Sequence, residues 1–389
     1  MTSDLLLIGL SLLTWGLGEG AFFYFQPIYL QQLGADPVQI GFILGVAGVA
    51  MTVAHIPAGY LADRIGRKPL LIAAWCMGIL SASLMALATT LPIFVVGLVL
   101  YGFTAFVVAP LNSYVTAARG KYSVGRAITL TSAMYNTGAI AGPLLGGYIG
   151  AHYGLRYIFL FAVGVFAIST LIIVFIHSQP REQRDPENPP VKLLANQRYL
   201  GFMVIAFISM FAMYLPQPLT PNFLQNQRGI SIAQIGQIGA IGSFGNVVLN
   251  LTLGQLDARL GFLLGQAAVA IFTLFIWRGT GFFWYAAGYF LLGGFRVARS
   301  LVTAQVRGLI HGAQMGLAYG VTETINTLPI ILAPPIAGLI YTQDPEMIYP
   351  IAIVIIALSL LISWRFAPRS LAPAAPPALD DFSAPGLPD

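Results

Sequence analysis

Long apolar runs punctuated by Gly, Pro and charge divide the chain into twelve predicted helices. The first six lie near 5–31, 38–62, 69–90, 92–117, 125–150 and 156–177; the second six lie near 199–226, 231–256, 262–280, 282–308, 313–341 and 347–366. A hydrocarbon core of about 30 Å takes roughly 20 residues of helix, so each run is long enough to span a bilayer. The fourth, fifth and tenth runs are interrupted by polar groups. Between the halves, 178–198 carries Arg181, Glu182, Arg184, Asp185, Glu187, Pro189 and Pro190, and it reads as a solvated linker. The segment 368–389, rich in Ala, Pro and Asp, is expected to be a disordered tail. The pattern predicts an all-α membrane protein with an N-terminal six-helix lobe (1–177), the linker, a C-terminal six-helix lobe (199–367) and the tail.

Composition agrees with that ruler. Charged residues are 8% of the 389, against about 25% in a soluble domain. Hydrophobic residues are 57% and mean hydropathy is +0.79, so most of the exterior must face lipid. The net charge of +5 is scattered between apolar runs rather than gathered in a patch, which argues against a nucleic-acid partner. Cys76 is the single cysteine, so no intrachain disulfide can form. Met1–Asp4 has no basic region, and the first apolar run exceeds signal-peptide length; it is expected to remain as a membrane helix.

Orientation follows from the Lys/Arg bias. Arg64, Arg67, Lys68, Arg119, Lys121, Arg198, Arg259 and Arg365 share one side, while the other holds Arg156, Arg228 and Arg278 beside Asp36, Asp344 and Glu346. Both termini are therefore expected in the cytoplasm of a bacterial-type cell membrane, which requires an even number of spans. The halves also repeat. Pro27-Ile28-Tyr29-Leu30, Gly34 and Gln39-Ile40-Gly41 recur as Pro221-Asn222-Phe223-Leu224, Gly229 and Gln234-Ile235-Gly236. Equal distances then lead to Gly59 and Gly254, Arg64 and Arg259, and Gly66 and Gly261; later, Pro143 and Gly147 match Pro334 and Gly338. Same-orientation repeats of six helices suit a two-lobed carrier with a site at mid-membrane.

The loop Gly59-Tyr60-Leu61-Ala62-Asp63-Arg64-Ile65-Gly66-Arg67-Lys68 resembles the signature between helices 2 and 3 of the major facilitator superfamily. The fifth run contains Gly138, Gly142, Pro143, Gly146 and Gly147, similar to the motif of that family's drug:proton antiporter branch. Small residues one turn apart let a second helix approach, and Pro143 removes a backbone hydrogen bond, so this reads as a hinge helix. Arg126-Ala127 and Gly154-Leu155-Arg156-Tyr157-Ile158-Phe159 extend the resemblance. It implies the major facilitator fold, two pseudo-symmetric six-helix bundles working by alternating access. It also implies a conformational latch at Gly59, Asp63, Arg64, Gly66 and Arg67. The second-half copy has Ala258 where Asp63 would fall, and the fourth run lacks the basic residue common in proton-coupled members. In the tenth run Arg296 stands where the fourth has Ala105.

Four charges lie well inside runs: Glu19, Arg296, Arg299 and Glu323. Two arginines cost the tenth helix about 5–7 kcal/mol, and its apolar neighbours return about 3–6. Its arginines are therefore expected to meet water or an acidic partner rather than lipid. Arg296 and Arg299 share a face. The resemblance places helices 1, 4, 7 and 10 around the central cavity. Candidate cavity residues are Glu19, Gln26, Tyr101, Asn112, Tyr214, Gln217, Arg296 and Arg299, with Glu19, Glu323 and His55 as candidates for proton coupling. Three readings stay open: Glu19 as a proton carrier tuned by Arg296 and Glu323, Arg296/Arg299 as a clamp for a carboxylate or phosphate, and Arg–Glu pairs that only fix helix packing.

No metal-ligand spacing, nucleophile elbow or phosphate-cradling loop occurs. The expectation is therefore neither an enzyme nor an ATP-driven pump, and no cofactor or metal. It is a gradient-driven carrier of a small, amphipathic organic compound, most simply proton-coupled efflux, acting as a monomer among membrane lipids. A non-transporting membrane receptor is the remaining alternative.

Overall fold

The computed structural model describes residues 2–179, 196–306, 309 and 315–367, without the side chains of 55–63 and 315–320. Most of the linker (180–195), the tail, and the side chains of His55, Gly59 and Asp63 lie outside the described residues. The first span is α1 (Ser3–Phe23) and α2 (Gln26–Gln32). Then come α3 (Pro37–Ile65), α4 (Arg67–Leu87), the fourth span α5 (Leu91–Phe103) and α6 (Val108–Ala118) joined by a 3-10 turn (Thr104–Val107), α7 (Val124–Tyr153) and α8 (Arg156–Val174). The second half repeats this order: α9 (Gln197–Tyr214) with α10 (Thr220–Asn226), α11 (Ile232–Leu253), α12 (Ala258–Arg278), α13 (Phe282–Leu292) with α14 (Gly294–Val306), α15 (Met315–Gln343) and α16 (Ile348–Phe366).

Ten segments are individually long and apolar enough to cross a membrane. The fifth and tenth complete the twelve. The fifth is diluted by Gly, Thr and Asn, and the tenth is divided at Gly293 and carries two arginines. The first, fourth, seventh and tenth spans, each read above as one run, are all broken. Proline explains two of the breaks, since it cannot donate to the helical ladder: Pro27 opens α2, and Pro216, Pro218 and Pro221 crowd the gap between α9 and α10. These four are the helices that the resemblance assigns to the cavity.

The repeat is visible in backbone and core alike. Gly34 and Gly229 occupy equivalent turns with φ of +92° and +66°, a conformation that glycine takes without strain. In the N-terminal lobe, buried Trp75 donates through Nε1 to Ser11 Oγ (2.8 Å) and Ser169 Oγ (2.7 Å). This ties the first, third and sixth spans. In the C-terminal lobe, Gln266 takes the place of Trp75: Ser359 Oγ donates to Gln266 Oε1 (2.8 Å) and to Ser209 Oγ (2.7 Å), while Gln266 Nε2 donates to Ser363 Oγ (3.1 Å). Trp75→Phe removes the indole donor, while Ser11 and Ser169 still donate to each other's carbonyls (2.9 and 2.6 Å), a loss of about 1–2 kcal/mol. The thermal midpoint of the purified protein should fall by about 1–3 °C, and an unchanged midpoint would show that the knot contributes nothing.

Helix α1 packs along α7, glycine against backbone. Cβ atoms added at Gly138 and Gly146 would collide with the carbonyls of Leu13 and Ala21, and one at Gly142 would lie 2.5 Å from Leu17 O. These three glycines of the expected hinge motif therefore seal a seam inside one lobe. Gly147 faces the other way, where a Cβ would lie 2.9 Å from the Cα of Gly236 on α11. Between lobes, α3 packs on α15 and α7 on α11. The close approaches are Gly41, Gly45 and Gly48 against Ile330–Pro335, and Pro143–Gly150 against Ile232–Gly236. All lie in the half of the molecule away from the basic loops. There, Asn222 Nδ2 of α10 also donates to Pro27 O (3.0 Å) and Gln31 Oε1 (2.7 Å) of α2.

Candidate functional site

The α1–α7 glycine seam brings Glu19 against Tyr135, whose hydroxyl donates to Glu19 Oε2 at 2.9 Å. Trp15, one turn before Glu19, and Tyr101 stand beside the same carboxylate. Tyr101 stacks on Phe166 (centroids 6.1 Å apart, planes 6° apart) and on Trp15 (6.3 Å, 14°). The half-buried carboxylate thus sits at the edge of an aromatic wall.

The facing lobe supplies the cations. Arg299 Nη2 lies 2.9 Å from Glu323 Oε2, with the two side chains 30% and 50% exposed, and Thr303 Oγ1 reaches Glu323 Oε1 at 3.4 Å. Arg296, three residues before Arg299 on α14, is exposed, yet its charge acts on Glu19, Tyr24 and Tyr135 of one lobe and on Tyr214 of the other. The exposed Arg296 guanidinium is thus within electrostatic reach of both lobes. Arg296 has no ion-pair partner among the described residues.

The site residues read from sequence therefore divide. Glu19, Tyr101, Tyr214, Arg296 and Arg299 form one electrostatically linked group, with Tyr214 half-buried against Phe295 (5.5 Å). Glu323 pairs with Arg299 rather than with Arg296. Gln26 is buried in the first turn of α2. Gln217 donates to Met213 O (2.7 Å) in the α9–α10 break, and Asn112 is exposed on α6. Among latch residues, Gly66 takes φ +89° before α4, and Arg67 Nη1 donates to Gln179 Oε1 (3.0 Å) where the linker begins.

Sequence reading missed Tyr135 and Tyr24. Tyr135 continues the Gly138–Gly142–Gly146 stripe by one helical step, and α1 carries its own stripe at Gly9, Gly16 and Gly20; pairing the two stripes would have placed Tyr135 beside Glu19. Tyr24 lies in the α1–α2 break and crosses to the other lobe. It packs on Gly239, where an added Cβ would lie 2.6 Å from its ring, and sits 5.9 Å from Tyr289.

Comparison with known proteins agrees with this architecture. The family model described as Major Facilitator Superfamily matches residues 7–256 and 202–384. Multidrug resistance protein 2 of Bacillus subtilis (strain 168) is 24% identical over 372 residues, covering 90% of this chain and 92% of the relative. Multidrug resistance protein 1 of the same organism is 23% identical, covering 91% and 94%. The crystal structure of a point mutant of nucleoside transporter NupG superposes with a TM-score of 0.83 at 16% identity, covering 94% of this chain and 100% of that one. At that identity the likeness speaks for the fold alone. With both halves matched and the paired six-helix bundles shared, this multi-pass membrane protein belongs to the Major Facilitator Superfamily and is a transporter rather than an enzyme.

Proposed function

We propose that this transporter exports an amphipathic organic compound in exchange for protons, by alternating access across a bacterial-type cell membrane. The observation that supports the reading is that Arg296 of the C-terminal lobe lies within electrostatic reach of Glu19 in the N-terminal lobe. Glu19 takes up a proton when the gap between the lobes faces outside and releases it when the gap faces the cytoplasm and Arg296 approaches. Glu323, held by Arg299, is the second acidic group on that path. The Trp15–Tyr101–Phe166 wall offers stacking area to a flat or amphipathic compound, and the two multidrug resistance relatives favour export.

The Lys/Arg-rich end is the cytoplasmic one by the positive-inside rule, which puts both chain termini there. The close approaches between lobes then lie on the external side, and the conformation is the cytoplasm-facing one that loads an exported compound. Asp63, Arg64 and Arg67 latch the lobes in the opposite state. In proteoliposomes, flux of a lipophilic cation should saturate with concentration and stop when an ionophore collapses the pH gradient. Flux indifferent to the gradient would remove proton coupling from the reading.

A second reading has one observation in its favour: Arg296 is exposed and without an ion-pair partner among the described residues. A carboxylate- or phosphate-bearing substrate could pair with it, since charge-assisted bonds to arginine are among the stronger polar contacts. Arg296→Gln separates the two. It should raise the KM for an organic anion about tenfold or more if that anion is the substrate. If protons exchange for an amphipathic compound, it should instead leave that compound's KM in place and change the pH dependence of transport.

A further inference from the structure

Two arginines outside the central gap remain without an assigned role. They meet at the basic end of the C-terminal lobe, where the first turn of α12 lies beside the last turn of α16. A cavity of about 620 Å³ opens there, lined by Asp257, Arg259, Leu260, Leu263, Trp364 and Arg365. Among the described residues, Arg259 has one side-chain bond, from Nη2 to the carbonyl of Trp364, and its Nε is buried without a partner. Arg365 has only the Phe366 ring, with its guanidinium carbon 5.3 Å from the centroid, and no hydrogen bond or ion pair among the described residues. Asp257 is the one acidic residue of this lining against two arginines, and its Oδ1 also accepts the backbone N–H groups of Arg259 (3.1 Å) and Leu260 (3.2 Å), capping α12.

We propose that this groove binds the phosphate headgroup of an anionic phospholipid. Two arginines against one carboxylate leave the lining net positive, which calls for an anion, and guanidinium groups match phosphate oxygens in geometry as well as charge. Depth and surroundings select a lipid over a soluble phosphate. The groove lies at the ends of two membrane helices, at headgroup level. Its rim is apolar and faces outward: Leu260 is 47% exposed, Trp364 61% and Phe366 65%. An exposed tryptophan at a helix end marks the membrane interface, and the leucine and phenylalanine beside it offer a path for acyl chains. Basic pockets between helices on the cytoplasmic side are suited to acidic headgroups in general.

The test is native mass spectrometry of the detergent-purified full chain, titrated with dioleoylphosphatidylglycerol and, separately, with dioleoylphosphatidylcholine. Wild type should bind the anionic lipid in preference to the zwitterionic one. Arg365→Gln should weaken it about fivefold, and Arg259→Gln/Arg365→Gln should weaken it further, at about fivefold per arginine. Among the described residues Arg365 has no polar partner to lose, so its single variant reads binding even if the double variant folds poorly. Arg278→Gln, at the other end of α12, should bind like wild type. The proposal is overturned by equal binding of the two lipids, by unchanged affinity in Arg365→Gln, or by displacement of the lipid with millimolar inorganic phosphate, which would make the groove a soluble-anion site.

Discussion

Glu19→Gln should abolish accumulation of substrate against its gradient while leaving downhill exchange in place. The amide is nearly isosteric with the carboxylate and still accepts the Tyr135 hydroxyl, which lies 2.9 Å from Oε2. The α1–α7 seam and the aromatic wall therefore keep their geometry. What is lost is the capacity to exist charged in one state and neutral in the other. In a one-for-one exchange, one unit of pH gradient supplies about 1.4 kcal/mol and sustains roughly a tenfold substrate gradient. Proteoliposomes holding wild type should approach that ratio. Those holding Glu19→Gln should level off at no gradient, at any imposed pH difference, with binding retained. Tyr135→Phe provides the companion measurement, since it keeps the carboxylate and removes its donor; coupling should persist with a displaced pH of half-maximal transport. A Glu19→Gln protein that still concentrates substrate would assign proton carriage to another group, Glu323 first among them.

The reasons why Glu19 was legible from sequence and Tyr135 was not are physical. A carboxylate in an apolar run is conspicuous because lipid does not tolerate it, so its address in the chain already restricts it to a wet or paired environment. Tyrosine carries no such penalty and occurs at interfaces, in cores and in cavities alike. Only the contact of two glycine stripes, a long-range fact, singles out Tyr135. The same asymmetry explains the hinge motif. Its spacing announces close approach to a helix, but Gly138, Gly142 and Gly146 meet α1 inside the lobe, whereas Gly147 meets α11 across it. Spacing fixes the face and leaves the partner open. Likewise, hydropathy gives the spans to within a few residues yet runs straight through the breaks: Tyr24–Phe25 is as apolar as the helices it interrupts, and at Leu215–Leu219 the apolar residues on both sides carry the average across Pro216, Gln217 and Pro218. The Trp75 and Gln266 knots escaped notice for a related reason: the third span of each half uses a different side chain for the same bonding.

Gly236→Val should hold the transporter open on the side where this structure is closed. Gly236 of α11 lies against the Pro143 carbonyl and the Gly147 backbone of α7, and an added Cβ would lie 2.7 Å from the Gly147 Cα. The neighbouring atoms are backbone, so no side-chain rotation relieves the overlap and the two lobes must separate at this end. Overpacking of this kind typically costs about 1–3 kcal/mol. Applied to one conformer only, that shifts the equilibrium about 5- to 150-fold toward the state in which the lobes part there. Transport should fall in proportion to the loss of the closed state, because every cycle must pass through it. Gly142→Val, one turn from Gly147 on the same helix, provides the contrast. Its Cβ would press on Leu17 O of α1 within a single lobe, so it should lower thermal stability and yield in every conformer. The two are distinguished by labelling Tyr24→Cys, in a Cys76→Ser background, with a membrane-impermeant maleimide. Tyr24 is packed on Gly239 and Tyr289 of the other lobe in the closed arrangement, and it should become reactive from outside in the Gly236→Val protein. Continued protection of that cysteine, or normal transport by Gly236→Val, would mean that the α7–α11 contact does not close the outer end.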